Sequence, residues 1–411
     1  MDDVTPGQAA SQETATRDMA AITTATAAEC IARARSLIPR LRAAAPWIDE
    51  HHELPPDVLD GMHDAGMFRL LIPRAYGGFE LKPSDYVQCI EAIAEGDASA
   101  AWCMNQGSGC SMASAYMAPE IVWEVWGGKR DVLAWGQGPG ARAVRAAGGW
   151  RVTGTWSFAS GSRHATWLGG MAPSYEADGT AILRPDGWPW ERTCLFRREL
   201  ARIDDVWQVM GLRGTGSDNY TINDLFVDDA HTLTREYAPE RRETGTLYRL
   251  QSMQLYAAGF SCVGLGTARA LLDAVVGLAK RKTQAWAPDP LRDNQAVQYI
   301  IAHSDAALKA ARAGLMKVLD DLWEEVGRTG GVTVEQRVRV RQATTYLIHT
   351  ARDVAHRVYH EAGSTAIFDN QPFERRLRDV NSVSQQMQGR RTHLETVGLH
   401  MLGGEPNLRW L

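Results

Sequence analysis

Gly148-Gly149-Trp150-Arg151-Val152-Thr153-Gly154-Thr155-Trp156-Ser157-Phe158-Ala159-Ser160-Gly161-Ser162-Arg163-His164-Ala165-Thr166-Trp167 begins as a β-hairpin edge and ends as a loop of small residues bracketed by aromatics. The early part alternates apolar and polar side chains with the two-residue period of a strand. Trp156 and Phe158, two positions apart, are therefore expected on one face, with Ser157 pointing away. Ala159-Ser160-Gly161 would let backbone approach a ligand edge closely. Aromatics beside small residues suit a flat ring cofactor; a sheet-packing pair followed by a turn is the plainer reading.

Working outward, the strand character extends both ways. From about Leu133 glycines become frequent and β-branched or aromatic residues alternate with polar ones, through 167–171, 193–196 and 220–227. Upstream, Ile31, Ala34, Leu37, Ile38 and Leu41 have helical spacing, and Pro46 is expected to end that helix. Pro55-Pro56-Asp57, Pro83-Ser84-Asp85 and Asp97-Ala98-Ser99 each open another. Downstream, segments near 250–284, 293–327, 334–362 and 371–388 carry helical apolar spacing. Thr333 and Gln336 fit a capping box at the third of these.

The expected architecture is α+β, mainly α. A mobile N-terminus over 1–24 precedes an N-terminal helical domain at 25–132, a middle antiparallel β-domain at 133–235 and a C-terminal four-helix bundle at 245–405.

Composition excludes several functions. The chain has 411 residues, 45% apolar and 23% charged, with a net charge of −5. This is an ordinary globular balance, and it offers no general attraction to nucleic acid or an anionic membrane. No uninterrupted apolar run reaches the roughly eighteen residues of a membrane span. No apolar segment follows a basic start, so a cytoplasmic protein is expected. Six cysteines without a Cys-x-x-Cys pair speak against a zinc ribbon or a disulfide framework. His356 and His360, four apart, have a metal-capable spacing, but no third ligand is placed, and no metal is expected.

Several strings, in order, resemble the acyl-CoA dehydrogenase superfamily: Ala65 to Phe68 leading into Pro73-Arg74-Ala75-Tyr76-Gly77-Gly78; Met210-Gly211-Leu212-Arg213-Gly214-Thr215-Gly216-Ser217; Lys280-Arg281-Lys282-Thr283; and Arg376-Leu377-Arg378-Asp379. The resemblance spans about residues 30 to 405. Trp156-Ser157-Phe158-Ala159-Ser160-Gly161 looks like its flavin-dependent monooxygenase branch, the oxygenase halves of two-component hydroxylases. An acyl-CoA dehydrogenase or oxidase, and a catalytically silent flavin-fold scaffold, are the alternatives.

The resemblance implies a reduced flavin, FMN or FAD, supplied by an NAD(P)H:flavin reductase, oxygen addition at its C4a carbon, a small-molecule substrate and a homotetramer. It also implies residue roles. Trp135, Gln137, Trp156, Phe158, Ala159 and Ser160 would line the flavin, with Ser160 near N5 as hydrogen-bond partner of the peroxide. Arg281 and Ser364 would reach a flavin held by a neighbouring subunit. Trp102 and Asn105 would wall the substrate pocket, with core packing as the competing reading. Gln386 stands where many aromatic hydroxylases of this branch carry a histidine. An amide can donate a hydrogen bond but cannot deprotonate a phenol; either the substrate needs no such base, as in N- or S-oxygenation or attack on an electron-rich indole, or another histidine serves, His164 being the best substitute, with a structural histidine as the plainer reading.

Overall fold

The computed structural model describes residues 25–185, 187–283, 289–408 and 411; the N-terminal stretch expected to be mobile lies outside the described residues. The N-terminal part is helical: α1 (Ala27–Ser36), α2 (Ile38–His51), α3 (Pro56–Asp64), α4 (Pro83–Gly96), α5 (Ala98–Ser111) and α6 (Pro119–Trp126). Pro46 does not end a helix. The break falls at Leu37, and Pro46 lies inside α2 on its exposed face, where water can satisfy the Arg42 carbonyl that loses its partner. Asp97 caps α5 by accepting the Ala100 N–H at 2.9 Å. Every residue of α5 except Gln106 is buried, as befits a helix enclosed between α4, the sheet and the bundle.

The middle part is a sheet of eight strands: β1 (Leu133–Trp135), β2 (Arg142–Ala146), β3 (Gly149–Ala159), β4 (Trp167–Tyr175), β5 (Glu191–Arg197), β6 (Arg202–Asp204), β7 (Asp218–Asp228) and β8 (Thr232–Leu233). Their order is β6-β7-β3-β2-β4-β5-β8, with β1 beside β4. The sheet is mixed rather than wholly antiparallel, because β1 and β2 pair in parallel with β4. The cause is the loop after β3: it turns the chain back past β3's antiparallel partner β2, so β4 must run in the direction of β2.

The bundle comprises α7 (Ser252–Ala279), α8 (Gln295–Thr329), α9 (Val334–Ala362) and α10 (Glu374–Gln385), followed by α11 (Thr392–Met401). The capping box forms: Thr333 N–H donates to Gln336 Oε1 at 2.7 Å and Gln336 N–H to Thr333 Oγ1 at 3.2 Å. By length and composition α7 is apolar enough to cross a membrane, but most of it is buried inside the fold. It packs against α4 and α9, so its apolarity serves the core. All six cysteines are buried free thiols.

Candidate active site

Strand β3 alternates buried and exposed residues as far as Trp156, and there the alternation slips. Its pairing with β7 shifts register between Trp156 and Ala159, a β-bulge that turns one side chain over. Phe158 takes the left-handed φ of +58° and is 63% exposed. Trp156 is fully buried, stacks on Tyr220 with ring centroids 5.4 Å apart and donates its indole N–H to the Met171 carbonyl at 3.1 Å.

The expectation that Trp156 and Phe158 share a face is therefore corrected. Trp156 braces the sheet from within, and Phe158 alone is presented outward, with Trp207 against its edge. A phenylalanine held at positive φ is costly by roughly 1 kcal/mol or more, and such strain concentrates at functional sites. Ala159 is buried. Gln137 pairs through its backbone with Ser157 at 2.8 and 2.9 Å and leaves its side chain exposed. Trp135 is buried; it lines a small cavity with Tyr116, Arg235 and Ser252, and the Arg235 guanidinium lies 5.0 Å from its ring centre.

Ser160 ends the bulge and is 5% exposed. Its Oγ lies 2.9 Å from the Trp102 indole nitrogen and 2.7 Å from Ser217 Oγ. Ser217 continues to Thr215 Oγ1 at 2.7 Å, which donates to the Leu212 carbonyl at 2.8 Å. Trp102 packs on Phe260 of α7 with centroids 4.0 Å apart. Sheet, helical domain and bundle thus meet at one serine hydroxyl. Phe260, Ser217 and Thr215 were not singled out by their chemistry in the sequence; Gly214-Thr215-Gly216-Ser217 carried only a family string.

The Leu212 loop is anchored from the bundle. Asp379 accepts the Leu212 N–H at 2.7 Å, and burial pushes its carboxyl up to about 6. Arg375 stands nearby and donates to Asp97 at 2.6 Å. Arg378 grips Asp49 and the Met210 carbonyl. The Arg-Asp string on α10 therefore holds the loop that in turn holds Ser160.

His164, the candidate substitute base, sits in an apolar setting. It faces Phe68, which also contacts His63, and its Nε2 is buried with no hydrogen-bond partner. Burial pushes its pKa down to about 3, and the nearby His63 adds to the shift; burial likewise takes His63 down to about 4. Burial of this kind weakens the ring as a base. Both folded pKa values lie below the ordinary 6.5, so their contribution to stability is present above pH 6.5 and is lost as pH falls toward 4 and 3. Each histidine should cost on the order of 1.4 kcal/mol per pH unit across that window. Accordingly, His164→Phe should narrow the gap in denaturant midpoint between pH 7.5 and pH 4.5; a gap as wide as the wild type's would refute this assignment.

Asn105 is fully buried and accepts from the Tyr86 hydroxyl at 2.5 Å while donating to the Tyr256 carbonyl at 3.3 Å. It stitches α4, α5 and α7 together. Gln386 ends α10; its Oε1 accepts the Gln388 N–H at 2.8 Å, and its Nε2 is buried without an acceptor. That orientation leaves an unfilled donor. Gln388 beside it donates to Met253 Sδ at 3.0 Å, about 10 Å along α7 from Phe260.

Arg281 and Ser364 are exposed and come together at the far end of the bundle, where Lys282 bridges to the Ala362 carbonyl at 2.8 Å and to Thr365 at 2.9 Å. That end lies about 30 Å along the helix axis from Phe260, beyond reach of Ser160 in the same chain. His356 is paired with Asn381 at 2.9 Å.

Comparison with known proteins places this geometry in a family. The acyl-CoA dehydrogenase N-terminal domain matches residues 24–120 and the C-terminal domain matches residues 258–388. An indole-3-acetate monooxygenase of Pseudomonas putida is 30% identical over 89% of this chain and 92% of its own. The chain belongs to the flavin-dependent monooxygenase branch of the acyl-CoA dehydrogenase superfamily. The oxygenase subunit HsaA of a flavin-dependent monooxygenase from Rhodococcus jostii is 28% identical to it over 85% of this chain and 92% of its own. The fold is also that of XiaF from Streptomyces, solved with FADH2 and glycerol. The TM-score is 0.85 at 19% identity, covering 94% of the monooxygenase and 98% of XiaF.

Proposed function

We propose that this chain is the oxygenase component of a two-component system, taking reduced FMN or FAD from a separate NAD(P)H:flavin reductase and oxygenating a small aromatic or heteroaromatic substrate. One observation carries the reading: a buried Ser160 hydroxyl, 2.9 Å from the Trp102 indole nitrogen and 2.7 Å from Ser217 Oγ, next to the exposed and strained Phe158. The residues fit a flavin ring. Phe158 and the Gln137 edge offer a flat apolar and polar border, Ser160 offers an acceptor for N5–H, and Gln386 Nε2 is an orphaned donor.

Bound reduced flavin supplies two electrons and the C4a carbon at which dioxygen is activated; one oxygen atom enters substrate and the other leaves as water. The protein's part is to orient and to exclude solvent. Trp102 and Phe260 close the apolar side, and Gln386 donates to a ligand oxygen. Gln386 cannot deprotonate a substrate, and burial makes His164 a weak base. The fitting substrate class is therefore one reactive without ionisation, an electron-rich indole or a sulfur or nitrogen heteroatom, and the indole substrate named for the Pseudomonas relative supports that class.

If the clustered Arg281, Lys282 and Ser364, with Ile367 and Phe368 exposed nearby, contact flavin, it is the flavin of a neighbouring copy, which supports assembly of copies through the bundle, with a homotetramer as the proposed state. The function is tested by mixing anaerobic protein and reduced flavin with oxygen. The expected result is two-phase reoxidation, with a long-lived near-ultraviolet absorbance before oxidised flavin appears. Single-phase reoxidation, together with bleaching of bound oxidised flavin by acyl-CoA, would overturn it.

A further inference from the structure

We infer that Trp102, Ser217 and Thr215 form a one-way hydrogen-bond chain that fixes the Ser160 hydroxyl as an acceptor toward ligand, and that this polarity makes the site select the reduced flavin ring. The inference rests on the placement of flavin beside Ser160 proposed above.

Counting protons sets the direction. At one end, an indole N–H can only donate, and Trp102 lies 2.9 Å from Ser160 Oγ. At the other end, a backbone carbonyl can only accept, and the Leu212 oxygen lies 2.8 Å from Thr215 Oγ1. Thr215 has one hydroxyl proton, which that contact uses, so across 2.7 Å it accepts from Ser217. Ser217 has then used its own proton and accepts from Ser160, again at 2.7 Å. The Ser160 proton therefore points inward. One of its lone pairs takes the indole proton and the other is left for a ligand.

The reverse direction would press lone pairs of Thr215 and Leu212 together at 2.8 Å with no proton between them. Water offers no escape, because Ser160, Thr215 and Ser217 are 5%, 2% and 2% exposed. The acceptor end is also immobile. Asp379 holds the Leu212 N–H, and the Trp207 indole donates to the same Leu212 carbonyl at 3.0 Å.

The chemical consequence lies at N5 of the ring. Reduced flavin carries a hydrogen there and donates; oxidised flavin presents a bare lone pair. A serine locked as an acceptor bonds the first and repels the second. Trp102, Ser217 and Thr215 are thus positioning residues that act through Ser160, retaining the flavin delivered by a reductase and favouring release of the spent ring.

The test is the ratio of dissociation constants for oxidised and reduced flavin, measured by equilibrium titration with FMN and FAD, anaerobically for the reduced forms. Ser217→Ala frees the Ser160 proton to turn outward. Thr215→Val, nearly isosteric, lets Ser217 donate back to Ser160, with the same result. Each should lower the oxidised-to-reduced ratio about five- to ten-fold, the worth of one neutral hydrogen bond, mainly through tighter binding of oxidised flavin. In a Ser160→Ala background, Ser217→Ala should leave the ratio unmoved, because it has no hydroxyl left to act through. A ratio unchanged in both single variants overturns the chain, as does an equal change in the Ser160→Ala background; in either case flavin binding itself stands. Wild-type protein that binds neither redox form overturns the flavin placement, and this inference with it.

Discussion

Ser160→Ala is expected to speed hydrogen peroxide release from the reduced-flavin complex about ten-fold in oxygenated buffer without substrate, and to lower product yield per reduced flavin when an accepted substrate is present. The magnitude corresponds to losing roughly 1.4 kcal/mol from one hydrogen bond in a dry site. With Oγ removed, the N5 hydrogen of the bound ring has no acceptor, and the Trp102 indole N–H and the Ser217 hydroxyl lose their partner as well. Affinity for reduced flavin should fall by a similar factor. The thermal midpoint should also fall, because the buried Trp102 indole N–H is left without its acceptor. Unaltered peroxide release and unaltered reduced-flavin affinity would remove Ser160 from the site.

Arg375→Met should produce the largest loss of stability, about 3–5 kcal/mol, the cost of leaving a buried charge without its partner. Asp97 has a side chain only 1% accessible and pairs with Arg375 at 2.6 Å, while Asp379, fully buried, lies within the field of both. Without the guanidinium, the buried Asp97 carboxylate loses its ion pair, and its repulsion of Asp379 is no longer offset by Arg375. Protonation of Asp379 then becomes the relief: burial already pushes its carboxyl up to about 6, and removing Arg375 raises it further, so the deficit against wild type should shrink between pH 7.5 and pH 5. The double variant Arg375→Met/Asp97→Asn should recover part of the loss. A thermal midpoint within a degree of wild type at pH 7.5 would show that the network carries no such energy.

The same network explains why α10 matters to a site it does not line. Its Arg-Asp string grips the Leu212 loop, the loop ends the hydroxyl chain, and the chain orients Ser160. Stability and ligand polarity therefore share one structural path, and Arg375→Met should also weaken the preference for reduced flavin.

Local pattern carried much of the molecule. The long bundle helices lie within a few residues of their apolar periodicity, and Thr333 with Gln336 caps α9 as its spacing implies, because helix signals are contained within one or two turns. The strand alternation of β3 was equally legible up to Trp156. Beyond it the sequence has no mark of the bulge, since the extra residue is defined by pairing with β7, a partner more than fifty positions away.

The surroundings of His164 and Asn105 were illegible for a related reason. Their residue types permit chemistry, but the packing of one against Phe68 and the hydrogen bonds of the other to Tyr86 and Tyr256 come from distant parts of the chain. What the sequence by itself determined is the order of helical, sheet and bundle segments, the superfamily and the serine at the end of the strand. What only the tertiary structure decided is which way that serine points its proton. Direction in a hydroxyl chain is set by its two ends, and here the ends, Trp102 and Leu212, meet Ser160 only when the chain is folded.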